Sequence, residues 1–192
     1  MTQDLIYKAI KRKKYNAKQF LELTKNTTDR YELIGGNIFL MASPSVSHQS
    51  ITINIATALN IYLKGKQCRP FIAPLDVVLF EKNKKNEAKN VFQPDVFVVC
   101  DPKKINKTKI NGAPDLVFEI VSPSNPETDY IDKLHIYMKY GVHEYWIINP
   151  ETRNVLVYTK NKKELKNYAY TFEDTIKVHI FEDFEIDFKE FL

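Results

Sequence analysis

Acidic residues stand inside apolar runs at two places in this chain, and a lysine follows them on a segment of helical pattern. The first place is Phe92-Gln93-Pro94-Asp95, which leads into Val96-Phe97-Val98-Val99. The second is Ala113-Pro114-Asp115-Leu116-Val117-Phe118-Glu119-Ile120-Val121, and the lysine is Lys133, shortly after Asp129. A carboxylate surrounded by hydrocarbon is costly unless it has a partner. Oxygen ligands from two or three such carboxylates, with waters and a phosphate oxygen, suit Mg2+ or Mn2+. The chemistry this predicts is metal-assisted hydrolysis of a phosphodiester, in which the ion activates water and offsets developing charge. Lys133 adds a cation to orient the attacking water or stabilise the negative charge.

These groups require particular elements behind them. Residues two apart on a strand share a face, so Asp115, Val117 and Glu119 point one way from a strand over Asp115 to Val121, and Leu116, Phe118 and Ile120 the other. Asp95 lies on a preceding strand expected from Val91 to Cys100 and reaches the same sheet end if the two strands are neighbours. Asp115 sits at the far end of its strand and ranks below Asp95 as a ligand. The turn Ser122 to Pro126 carries capping residues, and a helix is expected from about Glu127 to Tyr140, stopped by Gly141. On it Asp129, Lys133 and Tyr137 are spaced by four and share a face.

Upstream, Asn16 caps a helix through about Thr24. Tyr31 to Ile34 and Asn37 to Met41 form a hairpin across Gly35-Gly36, with Glu32 at its foot. Ser47 is expected to cap a helix to about Leu63, with Ile51, Ile55, Leu59 and Tyr62 at helical spacing and His48 in the first turn. Arg69 to Phe80 reads as a strand interrupted at Pro74, in which Asp76 needs a partner. Glu81 to Asn90 is a polar loop. Val142 to Asn149, with Trp146, is a buried strand, and short strands continue from Asn154 to the end.

The whole of 1–192 reads as one domain, with residues 1 to 14 a helical or loose arm. At 192 residues and 44% hydrophobic, the chain can bury a substantial core. No apolar run reaches membrane-span length, so no membrane partner is expected and the default location is cytoplasmic. The net charge of +4 arises from 28 basic against 24 acidic residues. Lysines cluster at Lys11 to Lys14, Lys82 to Lys89, Lys103 to Lys109 and Lys160 to Lys166, runs that could meet phosphates or simply be solvated. Cys68 and Cys100 lack the close spacing of zinc ligands or a redox pair and are expected to be reduced, buried thiols.

At these residues the chain resembles the Uma-two family, in the PD-(D/E)xK restriction-endonuclease-like superfamily. The resemblance covers roughly Tyr15 to Pro150. It is carried by Tyr31-Glu32-Leu33-Ile34, Ser47-His48-Gln49, Gln93-Pro94-Asp95-Val96, the Ala113 to Ser124 block, Asp132-Lys133-Leu134, and Glu144 to Pro150. It implies an α/β, restriction-endonuclease-like fold: a mixed central β-sheet flanked by α-helices, with an added N-terminal hairpin and C-terminal strands. It also implies Asp95 and Glu119 as metal ligands, with Glu32 contributing from the N-terminal region. The superfamily's usual lysine lies two residues after the acid; Val121 holds that place here, and Lys133 looks like the migrated replacement. Gly35 stands where the family often has an acid in the turn.

Secondary candidates for the same site are His48, Gln93, Asp115 and Tyr137. The expectation is a DNA endonuclease dependent on Mg2+ or Mn2+, with homodimerisation suggested by the symmetry of duplex cutting. Two alternatives stay open: a catalytically silent nucleic-acid-binding or assembly protein on the same scaffold, and a hydrolase acting on RNA or nucleotides.

Overall fold

A computed structural model describes residues 13–80, 87–122, 128–160 and 164–191. Most of the expected N-terminal arm, much of the polar loop after Phe80 and the turn through Pro126 therefore lie outside the described residues. So does part of the lysine run at 160–166.

The chain opens with helix α1 (Ala17–Thr24), capped as the sequence indicates. Asn16 accepts from the Gln19 amide while the Gln19 side chain accepts from the Asn16 amide. Strands β1 (Tyr31–Ile34) and β2 (Asn37–Leu40) form the expected hairpin. Gly35 (φ 56°) and Gly36 (φ 85°) both occupy left-handed backbone, as a two-residue primed turn requires. Helix α2 (Val46–Tyr62) starts two residues earlier than expected. Ser45, held extended after Pro44, accepts from the His48 amide at 3.2 Å, and it rather than Ser47 is the cap.

Two expected long strands are each divided between sheets. The stretch from Arg69 to Phe80 becomes β3 (Arg69–Ile72) and β4 (Val77–Leu79), separated by a cis Ala73–Pro74 bond. The stretch from Val91 to Cys100 becomes β5 (Asn90–Phe92) and β6 (Val96–Val99), broken at Gln93-Pro94. Proline offers no amide to a ladder, so the chain leaves one sheet and enters the other at each break. The remaining strands are β7 (Ile110–Asn111), β8 (Leu116–Ile120), β9 (Glu144–Asn149), β10 (Asn154–Lys160), β11 (Leu165–Thr171), β12 (Thr175–Lys177) and β13 (Glu185–Asp187).

One sheet has the order β2-β1-β5-β4-β7 and the larger has β11-β10-β9-β8-β6-β3; β12 and β13 form a separate pair. In the larger sheet only β8 and β9 run parallel, and their crossover carries helix α3 (Leu134–Tyr140). Strand β8 is buried on both faces, and its alternation sorts two cores. Leu116, Phe118 and Ile120 pack with Ile51, Ile55 and Leu59 of α2 and with Trp146. Val117 and Val121 pack on the opposite side with Tyr137 and Met138 of α3, Tyr145, and Val77 and Phe92 of the smaller sheet. Glu119 belongs to this second face.

The cysteines correct the expectation of free thiols. Cys68 and Cys100 form a disulfide. They flank the antiparallel pair Arg69↔Val99, so the register of β3 on β6 brings together residues that are 32 apart in sequence. Spacing along the chain carried no sign of that pairing.

Candidate active site

The site forms where β6 and β8 emerge beneath the first hairpin. Their antiparallel register pairs Val96 with Phe118, which sets Asp95 and Glu119 across from one another at the next step. Asp95 is pinned there: its Oδ2 accepts from the Ile120 amide at 2.8 Å, and its own carbonyl accepts from the Ala73 amide. The proline break before Asp95 therefore has a consequence for the site. It ends β5, turns the chain, and delivers the carboxylate to the larger sheet.

Lys133 reaches this point from the crossover. The segment Thr128–Lys133 is a π-helical turn that passes into α3 at Leu134, where a continuous α-helix was expected. The wider turn alters the four-residue facing of positions 129 and 133, and the side chain of Asp129 lies outside the described residues. Lys133 is 4% exposed, with Nζ 3.1 Å from Glu119 Oε1 and 3.2 Å from Glu32 Oε2. Tyr137, one α-helical turn on, donates from its hydroxyl to Glu119 Oε1 at 2.9 Å. Burial, then the neighbouring charges of Glu119 and Glu32, push the Tyr137 phenol well above its ordinary range, so it stays a donor.

Glu32 joins through the hairpin. Its Oε1 accepts from the Gln93 amide at 2.9 Å while Oε2 faces Lys133. The Gln93 side chain then spans two more groups, donating from Nε2 to Asp76 Oδ1 and accepting from Arg30 Nε, each at 3.0 Å. Asp76 thereby finds the partner its position demanded. His48 comes from the first turn of α2 and stands with Nε2 3.1 Å from Asp95 Oδ2; an ionised Asp95 requires the hydrogen on that nitrogen.

Asp115 does not join this cluster. At the other end of β8 its Oδ2 accepts from the Cys100 amide at 2.8 Å, and His143 Nδ1 is 3.8 Å from its Oδ1. Two groups escaped the sequence reading. Arg30 lies two residues before Glu32 and shares its side of the chain, a signal visible in the spacing. Glu144 is fully buried, where it accepts from Trp146 Nε1 at 2.7 Å and from the backbone amides of His179 and Ile180 at 3.0 and 2.8 Å. It pins the C-terminal segment to the sheet, and its burial raises its pKa to about 6. Trp146 is a neighbour on the same strand, but the His179 and Ile180 amides lie too far along the chain for any local pattern to mark them.

The cluster opens into a cleft of about 420 Å³, lined by Arg30, Glu32, His48, Asp95, Glu119 and Lys133 and walled by the β2 to α2 connection. Among the described residues no three His, Cys, Asp or Glu side chains converge as a ready cation cage. The two facing carboxylates at 95 and 119 are instead the sparse kind of donor set that Mg2+ accepts, since that ion keeps several of its waters. Asp95 Oδ1 accepts no hydrogen bond among the described residues, which leaves a hard oxygen uncommitted beside Glu119. Among the described residues no helix is long and apolar enough to cross a membrane.

The chain is similar to known proteins in sequence and in fold. Residues 17–189 match the family model Uma2, described as "Putative restriction endonuclease". Two proteins from Synechocystis sp. are similar, each 25% identical. The uncharacterized protein slr1290 aligns over 77% of this chain and 75% of its own length, and the uncharacterized protein sll1609 over 75% and 80%. A crystal structure from Anabaena variabilis, described as "a putative nuclease belonging to DUF820", superposes with a TM-score of 0.73 at 21% identity. It covers 92% of this chain and 97% of the other. The likeness bears out the α/β, restriction-endonuclease-like fold.

Proposed function

The chain belongs to the Uma2 family, and from that membership and the cleft we propose that it hydrolyses phosphodiester bonds of DNA with Mg2+ or Mn2+ bound at Asp95 and Glu119. The observation that carries this reading is the facing of Asp95 and Glu119 across β6 and β8, with Lys133 on Glu119. When bound, the ion supplies a Lewis acid for the phosphate and lowers the pKa of a water.

The protein's own groups divide the remaining work. The Ile120 amide and His48 hold Asp95 in one orientation, so its carboxylate meets an incoming ion without reorganising. Tyr137 and Lys133 do the same for Glu119. Glu32 holds the Lys133 ammonium from the other side, with its second oxygen fixed by the Gln93 amide. Lys133 is the group placed to stabilise negative charge growing on the phosphate and to orient the water that attacks it. Phe92 and Tyr137, fully buried behind Lys133 and Glu119, keep solvent from that side of the pair, which strengthens its interaction.

The test is incubation of purified protein with supercoiled plasmid and either ion, alongside Asp95→Ala and Glu119→Ala. The expected result is ion-dependent nicking that both substitutions abolish. Equal nicking by wild type and variants overturns the assignment. A parallel panel of RNA and nucleotides separates DNA from the other phosphodiesters.

A further inference from the structure

Arg30 carries a feature the catalytic cluster leaves unexplained. Its Nε donates to Gln93, yet Nη2 is shut off from water without a hydrogen-bond partner. Nη1 likewise has no partner among the described residues, and no carboxylate forms an ion pair with the guanidinium there. A buried charged donor left unsatisfied is expensive, and proteins keep such groups chiefly where something else satisfies them. Arg30 lines the same cleft as Asp95, Glu119 and Lys133.

Its placement is rigid. The carbonyl of Arg30 accepts from the Met41 amide at 2.9 Å at the base of the hairpin. The bond from Nε to Gln93 Oε1 fixes the plane of the guanidinium, and Gln93 is fixed in turn by Asp76 and Glu32. With Nε committed to Gln93 and Nη2 closed off from water, Nη1 is the nitrogen through which the guanidinium can donate to a phosphate entering the cleft. The charge balance favours the same ligand. Glu32, Asp95 and Glu119 line the cleft and repel an anionic substrate, and Lys133 is already paired with two of them. Arg30 is the cleft cation with no carboxylate partner among the described residues.

We propose that Arg30 is a substrate-binding residue that grips a backbone phosphate of the nucleic acid through Nη1, the open end of its guanidinium. The assignment deepens the phosphodiesterase reading above and rests on it. Gln93 acts through Arg30 as a positioning residue.

The experiment measures binding of a short fluorescent duplex in EDTA by anisotropy over a salt series, for the wild type, Arg30→Met and Arg30→Lys. The expected result is roughly tenfold weaker binding by Arg30→Met, as for loss of a charged hydrogen-bonded contact. Its dependence of log K on log salt should be shallower by about 0.9, one phosphate's share. Arg30→Lys should keep the slope and lose part of the affinity. Thermal shift with inorganic phosphate at constant ionic strength supplies a second measurement. Phosphate should raise the melting temperature of wild type and leave that of Arg30→Met unmoved.

Arg30→Met with unchanged affinity and slope overturns the proposal, as does a variant that loses thermal stability while keeping the wild-type slope. Wild type without salt-dependent binding overturns it too. Nicking is scored separately. Intact Arg30-dependent binding with no ion-dependent nicking rejects the hydrolysis reading and leaves the phosphate contact standing.

Discussion

The ammonium of Lys133 and the carboxylate of Glu119 meet at 3.1 Å, and Glu32 closes on the same nitrogen at 3.2 Å. All three side chains are at least nine-tenths buried. A buried ion pair is retained at a cost in desolvation, and removing one member leaves the others uncompensated.

Lys133→Met is therefore expected to act on activity and stability together. Loss of an electrostatic stabiliser of this kind should lower nicking by about a hundredfold or more. Stranding Glu32 and Glu119 should cost about 3 kcal/mol in denaturant unfolding. The triple change Glu32→Gln, Glu119→Gln, Lys133→Met should recover much of the stability and none of the activity. A stable, fully active Lys133→Met protein would remove Lys133 from the mechanism.

Tyr137→Phe removes one donor to Glu119 with little change in volume. Unfolding should become easier by about 1.5 to 3 kcal/mol, the value of a hydrogen bond to a charged group. Because burial holds the phenol well above its ordinary pKa, absorbance titration of the folded wild type should show this tyrosine silent where exposed tyrosines ionise.

Glu144 gives stability a pH dependence of defined sign. Its pKa is raised from 4.5 to about 6 in the folded chain, so between those values the native state holds more proton than the unfolded state. The contribution is fully present below about 4.5 and falls as pH rises through about 6. At 1.36 kcal/mol per pKa unit the change is about 2 kcal/mol. The stability difference between wild type and Glu144→Gln, measured by urea unfolding, should therefore widen by about that amount as pH is lowered through this range. A difference that stays flat would contradict the raised pKa.

The Cys68–Cys100 bond closes a loop with a sequence separation of 32. Cys68→Ala with Cys100→Ala is expected to lower unfolding free energy by about 4 kcal/mol, the loop-entropy value for a closure of this size. Since the pair borders β3 at the sheet margin, away from the cleft residues, nicking by the folded variant should be retained.

His48→Ala should reduce nicking by about tenfold to a hundredfold as Asp95 loses an orienting partner; the ring is only 12% exposed, so thermal unfolding of the variant is measured alongside. Asp95→Asn serves as the inactive reference.

Local physics in the sequence was enough for much of this site. Period-two alternation placed Glu119 on the face opposite Phe118, glycines at 35 and 36 marked the hairpin, and Asn16 and Gly141 marked helix ends. The polar residues stranded in apolar runs, Asp95 and Glu119, pointed to the cleft and to the chemistry proposed for it. What the chain alone did not contain was the register between elements. Nothing local revealed that Pro74 and Pro94 carry the chain from one sheet to the other. Nor did it reveal that β3 lies on β6 and closes a disulfide, or that a π-helical turn swings Lys133 onto Glu119. Periodicity records which side of an element is buried. It does not record which distant element buries it, and partners such as Arg30 with Gln93, or Glu144 with the His179 and Ile180 amides, exist only once tertiary packing has chosen.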